Sequence, residues 1–261
     1  MHKVHTLIFS PTKTTEKIVN TIAHDLSGKV YTHNITYKAP ADSVLLSEDD
    51  ITIVGVPVYG GRIPRVALEC MRKITSAGGP VVLVAVYGNR HYDDIFQELH
   101  SWCTKAGFIP IAAGAFIGEH SFSKQSHPIA PSRPDADDLA KASTFAQEIE
   151  KKIQQKQSIK LEVADLPGNK ELKPVMGTPP ETPTTDMNKC TLCNKCVVAC
   201  PTSAISMNGA IHTRREGCIM CMACVKVCPH QARKAETPFF NGIREKLVAN
   251  CVQRKEPELF L

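Results

Sequence analysis

Eight of the eleven cysteines in this 261-residue chain fall in two runs spaced as metal-ligating thiolates. Cys190, Cys193, Cys196 and Cys200 form the first run, and Cys218, Cys221, Cys224 and Cys228 the second. Pro201 and Pro229 follow the last thiol of each. Both runs read C-x2-C-x2-C-x3-C-P, and the second repeats the first at an offset of 28 residues, with Ala204 and Ala232 continuing the match. Three thiolates two residues apart lie on one tight loop and wrap three corners of a cube, whereas the fourth, before a proline, has turned away. Disulfides would need an oxidising compartment, and nothing in the sequence marks a secreted chain. Zinc sites show paired thiols with a wider gap and no trailing Cys-Pro. Iron–sulfur chemistry fits the pattern best.

A second set of polar residues lies near the start. Ser10, Thr12, Lys13, Thr14 and Thr15 follow an apolar run and open a helical pattern. Their hydroxyls and backbone N–H groups suit either a phosphate nest or simple helix capping. Two glycine- and tyrosine-bearing stretches follow later apolar runs. One holds Pro57, Val58, Tyr59, Gly60 and Gly61, the other Tyr87, Gly88, Asn89, Arg90 and Tyr92. Glycine lets a backbone approach a flat ligand closely, and tyrosine offers a flat apolar face.

These loops need a frame, and residues 1–155 supply the pattern of one by alternating strands with helices, as a parallel sheet covered on both faces requires. Strands are expected at Val4–Phe9, Lys29–Thr36, Ile51–Val58, Pro80–Tyr87 and Phe108–Ile117. A helix carries Ile18, Val19, Ile22 and Leu26 on one face. A second carries Ile63, Val66, Ala67, Cys70, Met71 and Ile74. Asp93 is placed to cap a third, with Ile95, Phe96, Leu99 and Trp102 inside. A fourth runs through Leu139, Ala142, Phe145, Ala146, Ile149 and Ile153. Five prolines between 167 and 183 mark residues 156–186 as an extended linker. After the cysteine segment, 187–234, comes a tail, 235–261. Its Phe239, Phe240, Ile243, Leu247, Val248 and Cys251 have helical spacing, and a helix this short needs a surface, expected to be the first domain. Cys70, Cys103 and Cys251 read as small core residues.

The cysteine runs resemble those of bacterial two-cluster ferredoxins. That likeness implies two [4Fe-4S] clusters in a small α+β domain, with the fourth cysteine of each run reaching across to the other cluster. One cluster would then take Cys190, Cys193, Cys196 and Cys228, and the other Cys218, Cys221, Cys224 and Cys200. Residues 1–155 resemble flavodoxin, with Ser10, Thr12 and Thr15 at the hydroxyl positions of its phosphate loop. Lys13 and Thr14 stand where Gly-Asn is usual. The likeness implies an α/β fold with a five-stranded parallel doubly wound sheet of order 2-1-3-4-5 and FMN at the carboxyl ends of its strands. The stretches 57–61 and 87–92 would clasp the flavin ring, Tyr59 being the best stacking residue. His120, in the loop after strand five, reads either as a proton relay to the flavin or as an ordinary exposed histidine.

The chain is similar, taken whole, to flavodoxin–ferredoxin fusions of anaerobic prokaryotes. The implied function is electron transfer between FMN and the clusters, the alternative being a flavin-dependent reductase fed through them. The formal charge is +5. Clusters of about −2 each and a phosphate of about −2 would bring the holoprotein near neutral. No basic run with interleaved aromatics suggests nucleic acid, and no apolar run suggests a membrane span. A reducing cytoplasm is expected. Seven Lys or Arg against one Glu in 187–234 point to acidic redox partners, both donor and acceptor.

Overall fold

Runs of β-branched residues with no polar alternation are strands meant to be covered on both faces. In the computed structural model, which describes residues 3–26, 28–155 and 160–261, they form one sheet. In chain order the elements are β1 (Lys3–Ile8), α1 (Thr14–Asp25), β2 (Lys29–Asn34), β3 (Val44–Leu46), β4 (Ile51–Pro57), α2 (Arg65–Met71) and β5 (Ile74–Ser76). Then come β6 (Pro80–Tyr87), α3 (Ile95–Lys105), β7 (Ile109–Ile117), α4 (Ala136–Gln154), β8 (Thr184–Thr185), α5 (Lys195–Val198) and β9 (Ile205–Asn208). The last are β10 (Ala210–Thr213), α6 (Ala223–Lys226), β11 (Arg233–Lys234), α7 (Pro238–Asn250) and β12 (Glu258–Phe260). Residues 1, 2 and 27, and 156–159 at the start of the expected linker, lie outside the described set.

The main sheet runs β12-β7-β6-β4-β1-β2. Its five long strands are parallel, and β12 joins β7 antiparallel. Without β12 the order is the expected 2-1-3-4-5, a doubly wound flavodoxin-like sheet with its switch point beside β1. One apolar layer packs α1 and α4 on one face through Ile18, Ile22, Phe145 and Ile149. The other packs α2 and α3 through Met71, Phe96, Leu99 and Cys103. Trp102 and Cys70 only border that second layer. Among the described residues no helix is long and apolar enough to cross a membrane.

Four details depart from the expected frame. β2 stops at Asn34, whose side chain accepts from Thr36 N at 3.0 Å and turns the chain. Helix α2 ends at Met71, and Ile74 begins the short strand β5, which pairs with β3 outside the main sheet. Asp93 does not cap α3. It has φ 46° and forms ion pairs with Arg90 and Lys173, while Asp94 takes the N-cap position. The Asp94 carboxylate is not spent on its own helix either, because it accepts from Asn169 N at 2.9 Å and Lys173 N at 2.9 Å.

That last arrangement changes the reading of the proline-rich stretch. Leu161 N donates to Pro110 O at 2.8 Å, and Leu161 and Leu166 are buried in the α3-side core. Gln97 donates to Leu166 O at 2.9 Å. Residues 160–173 are therefore strapped across α3, and the extended spacer expected from composition is not free there.

The cysteine segment is built of paired short pieces. β9 and β10 form a hairpin, β8 pairs with β11, and α5 and α6 are one turn each. α6 lies 28 residues after α5, the offset of the sequence repeat. Helix α7 starts at Pro238, where its fixed φ suits the first turn. Phe240 is fully buried against Phe122, Met222 and Ala235. Arg244 donates to Phe122 O at 3.0 Å and Ala235 O at 2.7 Å, joining the loop after β7 to the cysteine segment.

Candidate functional site

Eight cysteine side chains ring two cavities of closely similar size, about 340 and 320 Å³. Cys200, Cys218, Cys221 and Cys224 line the first, and Cys190, Cys193, Cys196 and Cys228 the second. Each cavity thus takes three thiols from one run and the fourth from the other. The loops that do this share a backbone. Left-handed residues recur at Leu192 and Met220, at Asn194 and Met222, and at Ser203 and Gln231. The crossing thiols are each met by a main-chain donor, Ala204 N to Cys200 Sγ at 3.2 Å and Ala232 N to Cys228 Sγ at 3.3 Å.

As free thiols the more enclosed of these groups resist ionisation. Burial pushes Cys218, Cys221 and Cys224 up, and neighbouring thiols push the same way. Burial acts upward on Cys228 too, but main-chain N–H groups outweigh it and its pKa is lowered. Four thiolates in one closed space therefore need cationic charge at their centre. Among the described residues no group of three His, Cys, Asp or Glu is placed to hold a lone metal ion. The thiols stand around a space instead of a point, and the donor set fits a sulfur-bridged iron cube.

A third cavity of about 930 Å³ opens where β4, β6 and β7 end, at the carboxyl edge of the sheet beside the loop after β1. This is where an open parallel sheet takes its ligand. Of the residues expected to hold a flavin, Thr12, Thr14, Pro57, Val58, Tyr59 and Gly60 line it, as do Tyr87 and Gly88. Gly60 has φ +62°, and a β-carbon there would stand 2.9 Å from the Met176 side chain. Thr15 is buried, and its hydroxyl has no partner among the described residues. An orphaned hydroxyl under the helix-opening loop fits an incoming phosphate.

Other expected residues stand elsewhere. Ser10 is buried and accepts from Glu16 N at 3.0 Å, bracing the loop from below. Lys13 is left-handed and pairs with Glu16 at 2.8 Å, which draws its charge away from the nest. Gly61 carries the backbone past Asp93 and accepts from Asp94 N. Asn89, Arg90 and Tyr92 face the C-terminal tail and not the flavin. Asn89 donates to Cys251 O at 2.9 Å and Gln253 O at 2.8 Å. Arg90 pairs with Asp93 and its carbonyl accepts from Lys255 Nζ at 2.5 Å, while Tyr92 donates to Glu258 at 2.8 Å. Sequence patterns place these three in a ring-clasping loop because the tail that claims them lies over 160 residues away.

The remaining wall was not anticipated. Ile219 and Met220, between two cysteines, line the large cavity, and so do Ile243 and Leu247 of α7. Ile219 and Met220 also line the cavity of Cys200, Cys218, Cys221 and Cys224. The two spaces are one residue's thickness apart. Tyr59 lines the large cavity, and burial, then the charge of a Cys221 thiolate, raise its pKa well above the usual phenol value.

Residues 189–232 match the 4Fe-4S dicluster domain family. The chain joins a flavodoxin-like sheet to a dicluster iron–sulfur domain. No curated protein matches it significantly. Among solved structures it is similar to the flavodiiron core from Synechocystis at 13% identity and TM-score 0.42, covering 60% of this chain and 37% of that one, well under two thirds of its length. A flavodoxin from the domain Archaea gives 8% identity and TM-score 0.38, covering 59% and 99%. A Streptococcus pneumoniae flavodoxin gives 18% identity and TM-score 0.39, covering 58% and 98%. At such values the fold assignment rests on the strand order itself.

Beside the dicluster domain, His120 is neither exposed nor free. It lines the large cavity and packs on Gly88, where a β-carbon would come within 2.6 Å of its Cγ. Its Nδ1 accepts from Phe122 N at 3.0 Å. Burial first, then the charges of Lys226 and Arg90, push its pKa down to about 4. The imidazole is neutral at pH 7, with Nε2 its only N–H.

Proposed function

We propose that this protein is an electron-transfer flavoprotein of a reducing cytoplasm, holding FMN in the large cavity and two [4Fe-4S] clusters in the cysteine cavities. The single observation that carries the reading is the shared wall. Ile219 and Met220 face both the flavin cavity and the cavity of Cys200, Cys218, Cys221 and Cys224. When bound, iron–sulfur clusters carry single electrons and a flavin carries one or two, so the pair converts between the two modes.

The chain's own residues provide placement. Thr12, Thr14 and Thr15 open helix α1 toward the phosphate, whose charge the helix N-terminus favours. Gly60 and Gly88 bring backbone to the ring plane, and Tyr59 offers it an aromatic face. Ile243 and Leu247 add apolar side chains to the wall of the same cavity. The crossed thiol sets tie the two cysteine runs into one body. The basic balance of the dicluster domain suits donor and acceptor proteins with acidic surfaces.

Anaerobic purification with iron, sulfide and flavin assays tests this directly. About eight irons and one FMN per chain are expected. Cys228→Ala should remove the cluster built mainly on Cys190, Cys193 and Cys196 and leave the other. Zinc in place of iron, or a chain that takes up no flavin, would sink the reading. Holoprotein that turns over a small molecule at the flavin, and exchanges no electrons with a redox protein, would replace the carrier by a reductase.

A further inference from the structure

Arg233 breaks the repeat inside the duplicated cysteine segment. The residue 28 positions earlier is Ile205, a buried aliphatic side chain. Arg233 is just as enclosed, at 3% exposure. Its Nη1 donates to Thr185 Oγ1 at 2.8 Å and its Nη2 to Thr213 Oγ1 at 3.0 Å. Nη2 also lies 3.6 Å from Cys224 Sγ. Its Nε is buried with no hydrogen-bond partner among the described residues. Two neutral hydroxyls are its oxygen partners, and among the described residues no carboxylate pairs with it.

A buried guanidinium without a counter-charge is costly, and arginine does not escape by losing its proton. The compensation has to come from what fills the space around it. Arg233 lines both cysteine cavities, so it stands in the partition between them. Resting on the reading that these cavities hold clusters, we infer that Arg233 sets their reduction potentials. It holds one fixed positive charge between them, with its direct hydrogen bond given to the Cys224 thiolate.

The two clusters are not treated alike. Charge and N–H···S bonds both favour the state with one more electron. The field of the guanidinium reaches both cavities, but the hydrogen bond reaches only the Cys224 side. That side shares Ile219 and Met220 with the flavin cavity. The cluster next to the flavin is therefore the one more easily reduced, and an electron on the pair rests beside the flavin. Reduction adds one electron to a cluster and moves no proton at Arg233, which stays charged throughout.

The test is an EPR-monitored redox titration of anaerobic holoprotein with dithionite as the electron source. The wild type should show two cluster potentials. In Arg233→Met both should fall, the higher one further, by at least a tenfold change in its one-electron equilibrium constant, about 59 mV. Arg233→Lys should restore the common shift but not the gap, since an ammonium keeps the charge without the planar fork. Potentials equal to wild type in Arg233→Met with full iron content overturn the inference. Should that variant fail to assemble, wild-type protein labelled with 15N-arginine decides. A guanidinium hyperfine coupling to the reduced protein is expected in pulsed EPR, and its absence overturns the inference. Iron and sulfide missing from the wild type would instead defeat the cluster reading itself.

Discussion

The two halves of the molecule are held together by different physics. The sheet domain buries apolar side chains in two continuous layers, one on each face, with Phe9, Phe96, Phe116 and Phe145 fully enclosed. In the cysteine segment the cluster of buried residues between the two helical turns is Cys196, Ile205 and Cys224, and two of these are thiols. Hydrophobic burial gives the first half a fold that stands before any ligand arrives. A segment of that size with so little apolar interior takes its stability from what its thiols bind. One half is shaped by its core and receives a cofactor, while the other is shaped by its cofactors.

The largest expected effect breaks that contrast or confirms it. Stripping iron by chelation under reducing conditions should remove amide-exchange protection across residues 189–234 and leave β1, β4, β6 and β7 protected. Uniform loss of protection over both halves would end the distinction. Next comes the polar pair that closes the sheet domain near the tail. Asp138 is fully buried and accepts from Arg133, which is 6% exposed. Asp138→Ala leaves that buried guanidinium only the looser Asp135 carboxylate, at 3.6 Å, and the Lys255 carbonyl, and should cost about 3 kcal/mol. Urea unfolding followed at the sheet should register it, with the cluster absorbance of the folded protein unchanged.

A comparable effect is expected from pH. His120 in the flavin-free protein titrates at about 4, below its ordinary 6.5. Between these values the unfolded chain binds a proton that the folded chain refuses, so stability is full above pH 6.5 and declines as pH falls toward 4. The loss amounts to roughly 3 kcal/mol. His120→Phe should flatten that slope in thermal denaturation of the flavin-free protein, and an unchanged slope would count against it. The smallest effect sharpens the comparison at the boundary. Gly88→Ala displaces His120 into the flavin cavity and should weaken FMN binding about tenfold, roughly 1.4 kcal/mol, with little change in folding. Flavin fluorescence titration measures it.

What the sequence made legible follows the same division. Cysteine spacing carries its own geometry, since the ligands of a loop are its neighbours in the chain. Continuous apolar runs such as Ile51–Pro57 announce a strand covered on both faces, while the strand order is what the resemblance to flavodoxin implies. Partners distant in the chain were not legible. The three residues of β12 have no periodic signal and become a strand only because β7 offers an edge. Asp93 reads as the cap of α3, but Asp94 takes that position and the strap at Asn169 and Lys173 claims its carboxylate. Asn89 and Tyr92 look like ligand residues until the tail arrives. Ile219 and Met220 fill the gaps of a cysteine motif, and nothing local tells that they also wall another cavity.

Strand β12 has one more consequence. The dicluster domain leaves the sheet domain through the strap at 160–173 and comes back through α7 to a hydrogen-bonded edge on β7. It is moored at both ends, like the handle of a case. On the proposed function, charge passing between the two halves needs no diffusive search, and its rate should be indifferent to solvent viscosity and to protein concentration alike.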